Sequence, residues 1–296
     1  MKILVMDVGG TAIKSALFSD GELSDYRVSE SSSNTEKRIA AAAEIALGYS
    51  GYDAVGIAST GQINAKDGKL LFRYEKRYEP DHGALPMGEF LNEKIGKPTF
   101  ILNDCNAAAL GEAYNGAGRG VSDFLCLTYG TGVGGAIIQG GRLYEGSIGI
   151  AAEMGHMVTH MGGEKCNCGN RGCYERYAST TALVRYAKKV HPEIKNAKEI
   201  FEISDNDTRL RRVIRRWEDE IIAGLHTLTY IFNPSCIILG GGVMEQESVI
   251  CDVRERFKKA VLPTFASVEL LPATLGNRAG MYGAAVYAKM CLEGNK

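Results

Sequence analysis

The sequence lacks the features that would place a protein in a membrane or on a nucleic acid. It contains no run of about 18 apolar residues, the length that a membrane-spanning helix needs. A strand-like segment starts at residue 2, so we expect no signal peptide. The formal net charge is only -1, which gives no support to nucleic acid or a membrane surface as the main partner. We therefore expect neither among its partners.

The composition is that of a globular protein. The chain has 296 residues, 45% of them apolar, which is enough for two domains with a substantial core. No low-complexity segment is present apart from the serine run at residues 31–33. Size and composition therefore indicate a fold class without indicating a function.

The eight cysteines do not suggest a disulfide framework. Three lie in one short segment, and five are scattered in or beside apolar segments: Cys105, Cys126, Cys236, Cys251 and Cys291. Scattered thiols of this kind suit a reducing compartment. We expect a cytoplasmic protein.

The short segment that holds the other three cysteines predicts a metal site. His156, Cys166, Cys168 and Cys173 lie within 18 residues, and three cysteines with one histidine are the ligands of a closed zinc site. The alternative is buried structural thiols beside an unrelated histidine. It is less favoured, because the loop is neither periodic nor apolar. We expect structural Zn²⁺, flanked by the carboxylates of Glu153 and Glu175.

Two copies of a strand, a glycine turn and a second strand indicate a duplicated fold. The first copy runs from a strand at residues 2–8 to Ala12–Ser19, and the second from Phe124–Tyr129 to Val133–Gln139. The turns between them are Gly9-Gly10-Thr11 and Gly130-Thr131-Gly132. Turns of this kind bring backbone amides close to an anion, so we expect one phosphate hairpin in each half. A plain hairpin turn is the alternative, and no Gly-Lys-Ser/Thr follows as in a Walker loop.

Strands and helices alternate along the rest of the chain, which predicts an α/β protein. We expect further strands at residues 53–59, 99–102, 236–239 and 268–271. We expect helices at residues 35–47, 87–95, 107–114, 179–190, 197–203 and 209–232, one that ends at residue 260, and one at 279–292. The connection at residues 64–86 should hold only short strands. Between these elements Asn103 and Asp104 stand at a strand end before a helix, where they can cap the helix or bind a ligand.

The long helix at residues 209–232 carries an apolar stripe and a cluster of arginines. The stripe consists of Val213, Trp217, Ile221, Leu225, Leu228 and Phe232. The arginines are residues 209, 211, 212, 215 and 216. Because they cluster opposite the stripe, a solvated helix face is a better interpretation than a nucleic-acid site.

The metal segment carries a resemblance to a known family. Glu153-Met-Gly-His156, followed by Cys166-x-Cys168-Gly-x-x-Gly-Cys173-x-Glu175, resembles the signature of the ROK family of sugar kinases and sugar-responsive repressors. Further matches extend from Asp7 to the region of Gly283. The resemblance implies a duplicated actin-like ATPase and hexokinase (ribonuclease H-like) fold, with two lobes around a cleft. The lobes would span residues 1–115 and 116–296, and the last helix of the chain could pack back on the first lobe.

The resemblance also implies roles for individual residues. Asp104 matches the catalytic base that deprotonates the sugar 6-hydroxyl. The matches to sugar contacts are Gly61, Asn103, Asp104, Glu153, His156 and Glu175. Nucleotide and Mg²⁺ contacts would involve Asp7, Gly9, Gly10, Thr11, Lys14, Gly130, Thr131, Gly132, Gly240, Gly241 and Gly242. His156, Cys166, Cys168 and Cys173 would hold Zn²⁺.

The function that the resemblance implies is a kinase that uses ATP and Mg²⁺ on the 6-hydroxyl of a hexose. Its sugar is glucose or N-acetylmannosamine. Thr60-Gly61 stands where glucokinases of the family usually carry Pro-Gly, and Ser59-Thr60-Gly61 is similar to the sequence of N-acetylmannosamine kinases at this place. A ROK repressor is one alternative, but its DNA-binding segment would precede the first hairpin, which begins here at Asp7. A non-catalytic sugar-binding protein is the other, although Asp104 and the glycines are retained. Family kinases are commonly dimers, so we expect a homodimer.

Overall fold

The computed structural model describes residues 1–73, 76 and 82–294. It divides into two compact units. The first contains Met1–Gly120, Ile137–Ala151 and Asn277–Lys296, and the second contains Val121–Ala136 and Ala152–Gly276. Both units are discontinuous in sequence, and the predicted boundary at residue 115 stays a prediction. No helix in the described ranges is long and apolar enough to cross a membrane.

Twelve strands are formed by the described residues. They are β1 (Ile3–Val8), β2 (Ala12–Ser19), β3 (Glu22–Glu30), β4 (Ala54–Ser59), β5 (Ile63–Asn64), β6 (Lys69–Leu70), β7 (Thr99–Asn103), β8 (Phe124–Tyr129), β9 (Val133–Gln139), β10 (Arg142–Leu143), β11 (Cys236–Gly240) and β12 (Glu269–Pro272). The expected strands are all present, with ends shifted by one residue at most. The connection at residues 64–86 holds β5 and β6 as expected, but residues 74–75 and 77–81 lie outside the described part.

Nine α-helices lie among these strands in the described part of the chain. They are α1 (Thr35–Leu47), α2 (Met87–Ile95), α3 (Asp104–Asn115), α4 (Glu175–Ala178), α5 (Thr180–Ala187), α6 (Ala197–Ser204), α7 (Thr208–Phe232), α8 (Glu247–Ala260) and α9 (Ala279–Leu292). The predicted helices are confirmed, although the one expected at residues 179–190 ends at Ala187. The helix expected at 107–114 begins at Asp104. The short α4 was not predicted.

The two main sheets repeat one plan, so the predicted duplication is confirmed. The strand orders are β3-β2-β1-β4-β7 and β10-β9-β8-β11-β12. In each sheet a hairpin is extended by a strand parallel to its first member, β4 beside β1 and β11 beside β8. The hairpins β2–β3 and β9–β10 turn at Asp20-Gly21 and Gly140-Gly141. Positive φ at all four turn residues (54°, 88°, 58° and 74°) matches the twist of the strands.

The inner strands of the first sheet are buried on both faces, and their side chains point alternately to one face and the other. Leu4, Met6 and Val8 of β1 join the core that α1 and α2 cover. Ile3 and Val5 point the other way and pack with Met281 and other residues of α9. Gly283 lets α9 approach α3 closely, since a Cβ atom there would overlap the carbonyl oxygen of Ala107. Helix α9, the last in the chain, therefore belongs to the core of the first unit.

Helix α7 supplies much of the core of the second unit. Trp217, Ile221, Leu225 and Leu228 are fully buried, as the stripe predicts. The prediction was wrong for its two ends, because Val213 is only half-buried and Phe232 is 41% exposed. Tyr230 and Ile231 in the last turn of α7 are exposed as well, so this end of the helix is only partly covered. The five arginines are exposed, as expected of a solvated face.

Candidate active site and metal centre

Three parallel strands of the first unit end side by side. Val8 of β1 pairs with Ser59 of β4, and Ser59 pairs with Asn103 of β7. Asp7, the turn at residues 59–61 and Asp104 therefore lie along one edge of the sheet. Ligands bind at this edge, outside the carboxyl ends of the strands, in open α/β sheets.

Asp7 and the first glycine turn are held by neighbouring side chains. Lys14 Nζ lies 3.3 Å from Asp7 Oδ2. Burial raises the pKa of Asp7, and the charge of Lys14 opposes that rise. Ser31 braces the turn, because its hydroxyl donates to the Gly9 carbonyl (2.6 Å) and its N–H donates to the Thr11 carbonyl (3.2 Å). Sequence analysis missed Ser31, since it stands in a serine run that suggests only low complexity.

Asn103 links the start of α3 to the turn at Gly61. Its Oδ1 accepts hydrogen bonds from the N–H groups of Cys105 (2.9 Å) and Asn106 (3.2 Å), which is an N-cap. Its Nδ2 donates to the Gly61 carbonyl at 2.9 Å. Gly61 has φ 109°, a conformation that glycine adopts without strain. Asn103 therefore caps α3, as one of its two sequence interpretations expected. Its predicted contact with a sugar stays a prediction.

Asp104 is the first residue of α3 and is only half-buried. Its Oδ1 accepts from the N–H of Cys105 at 2.9 Å. The positive end of the helix dipole favours the ionised carboxylate there. The geometry thus gives a fixed carboxylate at the ligand-binding edge of the first sheet.

The second unit brings the four predicted metal ligands together. One donor atom from each of His156, Cys166, Cys168 and Cys173 lies within 4.8 Å of the others. The Cys168 and Cys173 sulfurs are 3.5 Å apart, and Cys166 Sγ lies 3.6 Å from His156 Nδ1. Tetrahedral zinc, with bonds of about 2.0–2.3 Å, separates its ligand atoms by roughly 3.5–3.8 Å. The residues therefore fit a four-coordinate ion such as zinc.

The loop around these ligands is folded by its own backbone. The N–H of Gly169 donates to the Cys166 carbonyl (3.1 Å), and the N–H of Cys166 donates to the Asn170 carbonyl (2.9 Å). Gly172 has φ 79°, and a Cβ atom there would overlap the carbonyl oxygen of His160. Burial raises the pKa of the Cys166 and Cys173 thiols. A bound cation would oppose that effect, because it favours the thiolate.

Two carboxylates flank the ligand cluster. Glu175 Oε1 lies 3.1 Å from Cys166 Sγ and 4.0 Å from His156 Nδ1. Glu153 Oε2 lies 3.9 Å from the other ring nitrogen, His156 Nε2. His156 therefore turns Nδ1 toward the cysteines and leaves Nε2 on the side of Glu153. A metal on Nδ1 would fix the tautomer and keep Nε2 as a donor.

Residues 153–175, which we call the metal loop, pack directly on the second glycine turn at residues 130–132. A Cβ atom on Gly155 would overlap the carbonyl oxygen of Val133 in β9. A Cβ atom on Gly132 would lie 2.5 Å from Glu175 Oε2. The absence of side chains at these glycines thus allows the two motifs to touch, which their separation in sequence does not predict.

The second glycine turn also lines a pocket of about 530 Å³. The other walls come from α5, from α6 with the residues before it, and from the segment after β11, and the lining residues are Tyr129, Gly130, Thr131, Thr180, Thr181, Val184, Lys195, Asn196, Ala197, Phe201, Gly242, Val243 and Gln246. Gly241 approaches the Tyr129 carbonyl so closely, at φ 99°, that a side chain there would overlap it. The glycine turn at residues 130–132 and the glycines after β11, both predicted to contact the nucleotide, therefore lie at one pocket.

Helix α5 fixes the turn at the mouth of this pocket. The N–H of Thr180 donates to the Gly130 carbonyl (2.9 Å), and the Thr181 hydroxyl donates to the Thr131 carbonyl (2.7 Å). Sequence analysis missed both threonines. The only signal was the Ser-Thr-Thr start of the helix, where Ser179 is the N-cap.

Comparisons with known proteins identify the family. The ROK family model matches residues 3–290. A glucokinase from Thermotoga maritima is 35% identical over 99% of this chain and 99% of its own. A xylose repressor from Bacillus spizizenii is 31% identical over 79% of this chain and 60% of its own.

A solved structure agrees in fold. The ROK family glucokinase from Streptomyces griseus, in complex with glucose and AMPPNP, has a TM-score of 0.85 and 31% identity, over 98% of this chain and 100% of that one. The predicted actin-like ATPase and hexokinase fold is thus confirmed. Within that fold, the chain belongs to the ROK family.

The two roles of Asn103 can be separated by substitution. Asn103→Ala removes the cap and the bond to Gly61, so we expect the free energy of unfolding to fall by about 0.5–2 kcal/mol. Asn103→Ser keeps a capping oxygen but cannot reach Gly61, so it should recover most of that loss. Urea unfolding of the three proteins measures both effects. Equal destabilisation by Ala and Ser would contradict the capping role.

Proposed function

We propose that this protein is a kinase that transfers the γ-phosphoryl group of ATP to the 6-hydroxyl of a hexose. The observation that carries the proposal is the fixed carboxylate of Asp104 at the edge of a sheet whose neighbouring strand ends at Asp7. Phosphoryl transfer requires a positioned hydroxyl, a metal to neutralise charge and a base. The similarity to glucokinases along nearly the whole chain supports the same activity.

The nucleotide is assigned to the pocket of the second unit. Its glycine turn offers backbone amides to phosphate oxygens, and Val184, Phe201 and Val243 offer an apolar wall for a base. Asp7 is the carboxylate assigned to Mg²⁺. Lys14 binds its Oδ2, and the Oδ1 of Asp7 is assigned to metal-bound water. Gly9, Gly10, Thr11 and Lys14 would contact phosphate near it.

Asp104 performs the proton transfer in this proposal. As the sugar O6 attacks the γ-phosphorus, Asp104 accepts the hydroxyl proton, and the bond from the γ-phosphorus to its bridging oxygen breaks. ADP leaves with the electron pair of that bond. Asn103, Glu153, His156 and Glu175 are assigned to other sugar hydroxyls, because carboxylates accept and a fixed imidazole N–H donates strong hydrogen bonds.

A sugar-responsive regulator is the second candidate. The similarity to a xylose repressor over 79% of this chain favours it, because a regulator and a kinase of the family can share a sugar site. A non-catalytic sugar-binding protein would behave similarly in a binding assay. The three functions differ in ADP release with a hexose present, which only the kinase produces.

Replacing Asp104 tests the proposed base. Asp104→Asn keeps size and much of the hydrogen bonding but cannot accept a proton, so kcat should fall by about 10²–10⁴-fold while sugar still binds. A coupled ADP-release assay and calorimetry with the sugar measure the two effects. Asp20→Asn, in an exposed hairpin turn, is the matched control. Turnover close to the wild type in Asp104→Asn would refute the assignment.

The proposed metal is structural zinc on the four ligands of the second unit. Elemental analysis should find about one zinc per chain, and Cys168→Ser should lower zinc content, stability and sugar affinity together. The coupled loss is expected because the ligands orient Glu153, His156 and Glu175. Cys251→Ser, at an exposed thiol, should change none of the three. Full sugar affinity in metal-free protein would contradict the proposal.

The sugar is proposed to be glucose or N-acetylmannosamine, and the turn at residues 59–61 favours the second. Thr60 follows Ser59 at the ligand-binding edge, where its hydroxyl could bond an acetamido group. Thr60→Val keeps the shape but removes the hydroxyl, so kcat/KM for N-acetylmannosamine should fall about three- to tenfold. The value for glucose should not change. A clear preference of the wild type for glucose, or equal effects on both sugars, would contradict the role of the turn.

A further inference from the structure

The nucleotide pocket has one wall that is a loop. Residues 188–196 connect α5 to α6, and we call them the α5–α6 loop. Its last two residues, Lys195 and Asn196, line the pocket. Asn196 is also the N-cap of α6 and accepts from the N–H of Glu199 at 3.1 Å. The position of this loop therefore sets the width of the pocket at that wall.

His191 connects this loop to a different element. Its Nε2 lies 2.6 Å from Asp207 Oδ2, and its Nδ1 lies 2.9 Å from Glu193 Oε1. Asp207 is the N-cap of α7, because its Oδ1 accepts from the N–H groups of Arg209 (2.7 Å) and Leu210 (3.3 Å). The ring thus ties the loop to the start of the longest helix in the described chain.

The geometry at His191 favours a particular protonation state. Both ring nitrogens face carboxylate oxygens, and only the imidazolium can donate at both. Arg209 lies 3.1 Å from Asp207 Oδ2 and 3.1 Å from His191 Nε2. Nε2 donates to the Asp207 carboxylate, and Arg209 pairs with the same carboxylate. The positive charge of Arg209 therefore lies beside the positive charge of the protonated ring.

We propose that His191 is a positioning residue that strengthens nucleotide binding by holding the α5–α6 loop against α7. The inference rests on the proposed function, because it assigns the pocket to a nucleotide. His191 is not among the residues that line the pocket, so it acts through Lys195 and Asn196. Ile194 of the same loop is only 1% exposed, so its side chain attaches the loop to the core. The imidazole of His191 adds a polar attachment of the loop to the start of α7.

The attachment depends on pH in a definite direction. The hydrogen bonds to Asp207 and Glu193 raise the pKa of His191, and the charge of Arg209 opposes the rise. These three groups, from α7 and the loop itself, are the charges that face the ring in the described structure. A raised pKa means that the stabilisation is complete below the ordinary histidine value of about 6.5. It is lost as pH rises through the folded value, so nucleotide affinity should weaken in that window.

The test compares the wild type with His191→Gln in binding of AMPPNP and Mg²⁺, measured by calorimetry without sugar. Glutamine is neutral and imitates the deprotonated ring. At about pH 6 the variant should bind about two- to fivefold more weakly than the wild type, the size expected when an ion pair near the surface is lost. At about pH 9 the difference between the two affinities should be smaller, because wild-type His191 loses its proton as pH rises through its raised pKa. Titration of AMPPNP itself cancels in the ratio.

Control variants separate positioning from general damage. Lys198→Gln breaks an exposed pair within α6, between Lys198 and Glu202 (3.7 Å), and should leave affinity unchanged at both pH values. Glu193→Gln removes one of the two carboxylates and should reproduce part of the loss at pH 6. An equal loss at pH 6 and pH 9 in His191→Gln, or no loss at either, would overturn the inference. Absence of AMPPNP binding by the wild type would instead refute the proposed nucleotide site, and the inference with it.

Discussion

In the second unit the metal loop and the second glycine turn are in direct contact, and this contact constrains both. Gly155 and Gly132 allow this contact, because a side chain at either would collide with Val133 or Glu175. The loop in turn depends on four donor atoms held within 4.8 Å. Three thiols and an imidazole lie at that separation, and a cation would bind all four together. The position of Glu175 beside the turn therefore follows from ligand geometry.

In the first unit the polar residues are positioned by strand register. There the register of β1, β4 and β7 sets the position of the polar residues, because the three strands end at Val8, Ser59 and Asn103. Each polar group then depends on a neighbour, Asp7 on Lys14 and Asn103 on the Gly61 carbonyl. The duplicated sheets are thus alike in plan and differ in what fixes the residues at their edges.

Sequence alone predicted most of this fold, because its strongest patterns are local. The Asp20-Gly21 and Gly140-Gly141 turns, the apolar strands and the glycine turns each determine their own geometry. The ligand set His156, Cys166, Cys168 and Cys173 was predictable for the same reason. Ser31, Thr180 and Thr181 were not, because their bonds join segments far apart in the chain. Exposure of Phe232 was missed because periodicity indicates a helix face but not where its covering neighbours end.

The hydrogen bonds around the pocket explain why glycine patterns identify such sites better than polar side chains do. The hydroxyls of Thr180 and Thr181 donate to the carbonyls of Tyr129 and Thr131. The side-chain oxygen of Asn196 accepts from an N–H group in the first turn of α6. The two threonine hydroxyls hold the backbone of the turn in place, and the Asn196 oxygen caps α6, so backbone N–H groups are the donors proposed for an anion at this turn. A substitution among these side chains would therefore change binding through the shape of the turn. Since shape requires glycine where a Cβ atom would collide, the glycines at 132, 155 and 241 preserve the site more directly than its polar residues do.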